Sequence, residues 1–210
     1  MSQSASAIRE SVSAGENVLV LAPEFGAKES PICMDLLTVA PPSEEAVLEV
    51  TVTQLPGDRV RQWEEHADVS PAASTVINIG TSTRSASSGP AAEDPPGACE
   101  KPSIRTVSSP SNLTKLGIEI TEAVDELTDT DAEQQLVACF HSLTPLLQYV
   151  SQEDLFKFVH LVTERFTQAG AIAHFHMDPT VHDEQTIAMF HQLVDGVLKR
   201  DGDEWQFRAR

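Results

Sequence analysis

Lysine is scarce in this chain: five residues in 210 positions, beside 32 acidic side chains. Lysine and arginine together number 14, so the formal charge is −18 at neutral pH. A surface of that sign repels phosphate backbones and anionic lipid, which disfavours both, so neither nucleic acid nor a membrane is expected as a partner. Long apolar runs are missing as well. "NVLVLAP" and "AGAIAHF" are the longest, far short of the ~20 residues that a spanning helix needs. The opening "MSQSASAIRESVSAGE" has no apolar signal core, so the expected compartment is the cytoplasm. Cysteine is limited to Cys33, Cys99 and Cys139, widely spaced and without a CxxC pair, which excludes a disulfide framework. Cys33 and Cys139 stand among apolar residues and read as small core side chains; Cys99 stands in a polar stretch.

What is present is enough for a core. Hydrophobic residues make up 40% of the chain, and 210 residues suit one domain. An acid-rich, lysine-poor surface repels itself at ordinary ionic strength. In molar salt the screening length falls to about 3 Å and the repulsion fades. The composition therefore predicts a halophilic host.

Residues 1–15 are small, polar and aperiodic, and predict a disordered tail. "NVLVLAP" (17–23), "AVLEVTV" (46–52) and "STVINIG" (74–80) predict buried strands. Between them lie two helical stretches, "SPICMDLLTV" with Pro31 in its first turn, and "PGDRVRQWEEHAD" with Val60 and Trp63 on one face. From Thr81 to Ser103 the chain holds four prolines and no Val, Leu, Ile or Phe, which predicts a flexible linker at 81–103 interrupting a single domain of residues 16–210. Beyond it come a strand at "IRTVSSP" and a helix at "SNLTKLGIEITEAVDEL" with a stripe of Leu113, Leu116, Ile120, Val124 and Leu127. "QLVACF" (135–140) and "AIAHFHM" (171–177) predict two more strands. The helix between them opens at Ser151 and Asp154 in a capping-box pattern, buries Leu155, Phe158, Val159, Val162 and Phe166, and ends at Gly170. A short helix at "DEQTIAMFHQL" and a hairpin around "DGD" complete the chain. Strands alternating with helices predict an α/β class: a mostly parallel sheet with helices on both faces and a C-terminal β-hairpin.

The loop after the first strand, "APEFGAKESPICMDLL", stands where a phosphate loop would. It departs from G-x-x-x-x-G-K-[ST]. Gly26 is followed by Ala27, so no glycine immediately precedes Lys28, and Glu29 takes the place of the hydroxyl that ligates Mg²⁺. The later segments "LVACFHSLTPLLQYV", "SNLTKLGIEI", "FKFVHLVTERFTQAGAIAHFHMDP" and "HDEQTIAMFHQLVDGVL" resemble RecA-superfamily ATPases of the KaiC type, closest to short haloarchaeal relatives. The resemblance covers most of residues 17–208, weakly in the first third. It implies a RecA-like sheet whose magnesium-positioning aspartate would fall at His141, and edges through which copies assemble into a homo-oligomer. A neutral imidazole does not replace a carboxylate for Mg²⁺, which takes hard oxygen ligands. With both elements altered, no bound cofactor is expected.

"HFHMDPTVHD" (174–183) raises a separate question. Two apart in a strand, His174 and His176 share a face, with Asp178 at the strand end and His182 in the loop beyond; His141, on the neighbouring strand, is the evident further ligand. His with carboxylate suits Zn²⁺. The simpler expectation is a hydrogen-bonded strand end, with His182-Asp183 as a helix cap. Three functions follow in order: a non-catalytic RecA/KaiC-like domain binding a protein partner in regulation or signalling, an ATP-binding protein with atypical hydrolysis, and a metal enzyme built on residues 174–183.

Overall fold

The computed structural model describes residues 5–23, 30–52, 54–67, 69–80, 102–130, 133–202 and 204–210. Along them run α1 (Ala5–Arg9), β1 (Asn17–Leu21), α2 (Ser30–Leu36), a 3-10 turn at Pro42–Glu44, β2 (Glu45–Thr51), α3 (Pro56–Ala67) and β3 (Ala73–Ile79). They continue with β4 (Ser103–Val107), α4 (Leu113–Thr128), β5 (Gln135–His141), α5 (Leu143–Leu146), α6 (Gln152–Gln168), β6 (Ile172–Met177), α7 (Glu184–His191), β7 (Gly196–Asp201) and β8 (Glu204–Ala209).

The apolar runs become strands covered on both faces: β1, β2 and β6 are buried at every position. All eight strands join one sheet in the order β4-β3-β2-β5-β6-β1-β7-β8, parallel except for the antiparallel β7–β8 pair. Alternation along each strand sends neighbouring side chains to opposite faces. One face carries Leu19, Leu48, Ala138, Phe140 and Phe175 against α4 and α6. The other carries Val18, Val20, Val47, Val137 and Ile172 against α1, α2 and α3. The class is therefore α/β, with a mostly parallel sheet, helices on both faces and a terminal antiparallel pair, as the sequence predicts.

Local chemistry sets the helix boundaries. Asn112 caps α4 by accepting from the Lys115 N–H at 3.0 Å, and Leu116, Ile120, Val124 and Leu127 of its stripe are buried. Ser151 Oγ accepts from the Asp154 N–H at 3.1 Å and donates to the Asp154 carboxylate at 2.6 Å, so only half of a capping box forms. Gly170, at φ +66°, takes the left-handed conformation that lets the chain leave α6 and turn into β6.

Two boundaries differ from expectation. Residues 1–15 were expected to be a disordered tail, but residues 5–15 are not free: α1 lies within them, and Ile8 and Val12, four apart, are buried at 0% and 7% exposure in the core beside α2. Those two side chains supply enough apolar contact to dock a segment that is otherwise polar. Ser103, the last residue of the expected linker, already belongs to β4 and pairs with Thr75 of β3; residues 81–101, with Cys99, lie outside the described residues.

Candidate functional site

The strand ends of β1, β5 and β6 meet where the chain leaves β1 toward α2 on one face and leaves β6 toward α7 on the other. In open α/β sheets that divergence makes the crevice used for ligands. Beneath it, on the α2/α3 face, the apolar pattern breaks. Glu49, Cys139 and His174 stand side by side in register across β2, β5 and β6. Two residues further along, Thr51 pairs with His141, and His176 pairs with Val20 of β1. The His141 and His176 rings lie 4.7 Å apart, and those of His174 and His176 5.1 Å apart.

Two helices complete this polar patch. From α2, Cys33 Sγ lies 3.5 Å from Cys139 Sγ and 3.2 Å from His174 Nε2. From α3, the Arg59 guanidinium pairs with the Glu49 carboxylate and donates to Cys33 Sγ at 3.2 Å and to Cys139 Sγ at 3.7 Å. Cys33, Cys139, His174 and His176 are each 1% exposed. One ligand atom from each falls within 4.8 Å of the others.

Burial governs the protonation of this patch. It would raise the Cys33 thiol, but the hydrogen bond from Cys139, the Arg59 guanidinium and His174 hold Cys33 well below the usual thiol range. Burial and the neighbouring Cys33 push Cys139 well up. Acidity is thus favoured at Cys33 and opposed at Cys139. Burial, reinforced by His176, lowers His141 to about 3, and burial outweighs Cys33 in lowering His174. Burial pushes Glu49 up against the opposing pull of Arg59. Burial pulls the Arg59 guanidinium down, yet Cys33 and Glu49 carry it well above its ordinary value.

The stretch 174–183 divides in two. His174 and His176 enter the patch, while Asp178 and His182 serve the strand-to-helix turn. Asp178 Oδ1 accepts from the Thr180 N–H at 2.8 Å and the Thr180 hydroxyl at 2.6 Å, and the Asp178 N–H donates to Thr144 Oγ1 at 2.9 Å. His182 Nε2 lies 3.0 Å from the same Thr144 hydroxyl, and Asp183 caps α7 through the Thr186 N–H. The grouping of His174, His176, Asp178 and His182 as one ligand set is thus corrected: the turn uses the last two. Gly26, Lys28 and Glu29 lie outside the described residues. Cys33, Cys139, Glu49 and Arg59 went unnoticed as site residues. The signal for Glu49 was a lone carboxylate inside an apolar strand; for Cys139 it was the parity it shares with His141.

On the opposite face α4 and α6 enclose an apolar groove of about 580 Å³ lined by Leu113, Ile118, Phe158, Leu161 and Val162. Ile118 and Leu161 remain 45% and 64% exposed at its rim. Among the described residues no helix is long and apolar enough to cross a membrane.

Residues 15–199 match the model of a family of unknown function, DUF7504, and the chain belongs to that family. A search of curated proteins finds no match. Among solved structures, one from a structural study of a Pyrococcus horikoshii OT3 protein is similar over 99% of this chain and 92% of that one, at 12% identity and a TM-score of 0.57. At that identity the likeness shows the fold alone.

Proposed function

We propose that this DUF7504 member is a RecA-like domain that keeps the sheet, has given up nucleotide turnover, and acts in regulation or signalling by binding another protein. One observation carries the proposal. At the end of β5, where the resemblance would put a magnesium-positioning carboxylate, stands His141, 4% exposed against the His176 ring and neutral down to about pH 3. A buried neutral imidazole gives Mg²⁺ no hard oxygen. A binding role is supported by apolar surface left in water, Ile118 and Leu161 at the rim of the α4–α6 groove. With a net charge of −18, the complementary partner is a protein with a basic face.

Calorimetric titration of the full chain with ATP and Mg²⁺ in molar KCl tests the loss of nucleotide chemistry. No heat beyond dilution is expected. Micromolar binding that Lys28→Ala abolishes would replace this reading with that of an ATP-binding protein.

A further inference from the structure

We propose that Cys33, Cys139, His174 and His176 form a closed site for one zinc ion, held by two thiolates and two imidazoles and pinning α2 to strands β5 and β6. The site stands independently of the RecA-like reading, because it rests on side-chain geometry alone.

The four ligand atoms already converge. A tetrahedral site with Zn–S of about 2.3 Å and Zn–N of about 2.0 Å sets two sulfurs about 3.8 Å apart and a sulfur and nitrogen about 3.5 Å apart. The observed separations are 3.5 Å for Cys33–Cys139 and 3.2 Å for Cys33–His174, and no pair exceeds 4.8 Å. Movements of a few tenths of an ångström for the near pairs, and of about 1 Å for the farthest, close the tetrahedron. The donors are soft sulfur and borderline nitrogen, which select zinc over the hard cations Mg²⁺ and Ca²⁺.

Charge and the outer contacts agree. Zn²⁺ with two thiolates is neutral, and Arg59 with Glu49 is a second neutral pair, so the charges of this patch balance. On loading, thiol protons on Cys33 and Cys139 leave to solvent, so that both sulfurs bind as thiolates. The Arg59 N–H donors to both sulfurs then act as the outer contacts that orient thiolate ligands. All four positions are protein side chains 1% exposed, so the site has no coordination position for water or substrate and its role is structural. His141 lies beside His176, outside this set of four.

The full chain, made without a histidine tag and handled without chelator in molar KCl, decides the matter. Elemental analysis should find stoichiometric zinc. Exchange into Co²⁺ should give thiolate-to-cobalt charge-transfer absorption together with the ligand-field bands of a tetrahedral ion. Both signals should be lost in Cys33→Ser and Cys139→Ser and kept in His182→Ala. Folding of each variant is read by circular dichroism, and the wild-type spectra alone suffice if a variant does not fold. Folded wild-type protein that takes up neither metal overturns the proposal and leaves a hydrogen-bonded Cys–His patch. Zinc that survives in a folded Cys33→Ser/Cys139→Ser double variant also overturns it, as an ion bound elsewhere.

Discussion

Arg59 and Glu49, ten residues apart, meet as an ion pair whose side chains are 1% and 4% exposed beneath two helices. Such a pair is costly to break, because removing one partner strands the other charge in a low-dielectric interior. Glu49→Gln should therefore destabilise the fold by about 3–5 kcal/mol, and Glu49→Leu with Arg59→Met should recover most of the loss. Denaturant unfolding at fixed molar KCl measures both. Equal losses in the single and double variants would mean that the pair is not the source of the effect.

Phe140 lies at the centre of the α4/α6 face, 5.7 Å from the Phe175 ring in a stacked arrangement and 6.3 Å from the Phe158 ring edge-on. It is 1% exposed. Phe140→Ala should cost about 3–5 kcal/mol through lost burial and the cavity left behind, while Phe140→Leu should cost less. The unfolding midpoint of each variant checks the order.

Ser151 satisfies an N–H at the start of α6 that no helical carbonyl reaches. Ser151→Ala should cost about 1 kcal/mol, and Ser151→Asp should keep most of the stability. The same unfolding measurement separates the two.

Burial pushes Glu45 above its ordinary value of 4.5, against the N–H groups of Ala40 and Val39. An acid raised in the folded state holds its proton more tightly there than in the unfolded chain, so ionising it costs stability. The cost is absent below about pH 4.5 and grows as pH rises through the raised folded value. Relative to wild type, Glu45→Gln should gain stability across that window and then level off. A difference independent of pH would show that Glu45 ionises as freely in the fold as outside it.

The charge of −18 predicts a salt response. Raising KCl from low to molar concentration screens repulsion among surface carboxylates, and the thermal midpoint should climb steadily. A midpoint that is flat in KCl removes the inference of a halophilic host.

Much of this architecture was legible because the elements announce themselves locally. The strand of "QLVACF", the α4 stripe and the Ser151 cap each depend on residues within one window, and each formed within a residue or two of expectation. The site was less legible for the opposite reason. Cys33 and His174 are 141 positions apart and touch only after α2 crosses the sheet beside β6. Arg59 carries a charge and stands outside the Val60 and Trp63 pattern, yet it is among the largest fully buried side chains, because Glu49 waits on the strand beneath. Asp178 and His182 misled because proximity in sequence stood in for proximity in space, and a tight turn put them to a different use.

The place of β1 in the sheet bears on how the molecule comes together. It comes before the other described strands in the chain, yet its partners are β6, beginning at Ile172, and β7, beginning at Gly196. Asn17 reaches as far as the Asp195 carboxylate, 178 positions away. Until the ribosome has passed residue 199, "NVLVL" lacks a strand partner on one side or both. Closing so large a loop is slow. Chains arrested before residue 172 should expose this segment, and they are where a chaperone or an aggregate would first take hold.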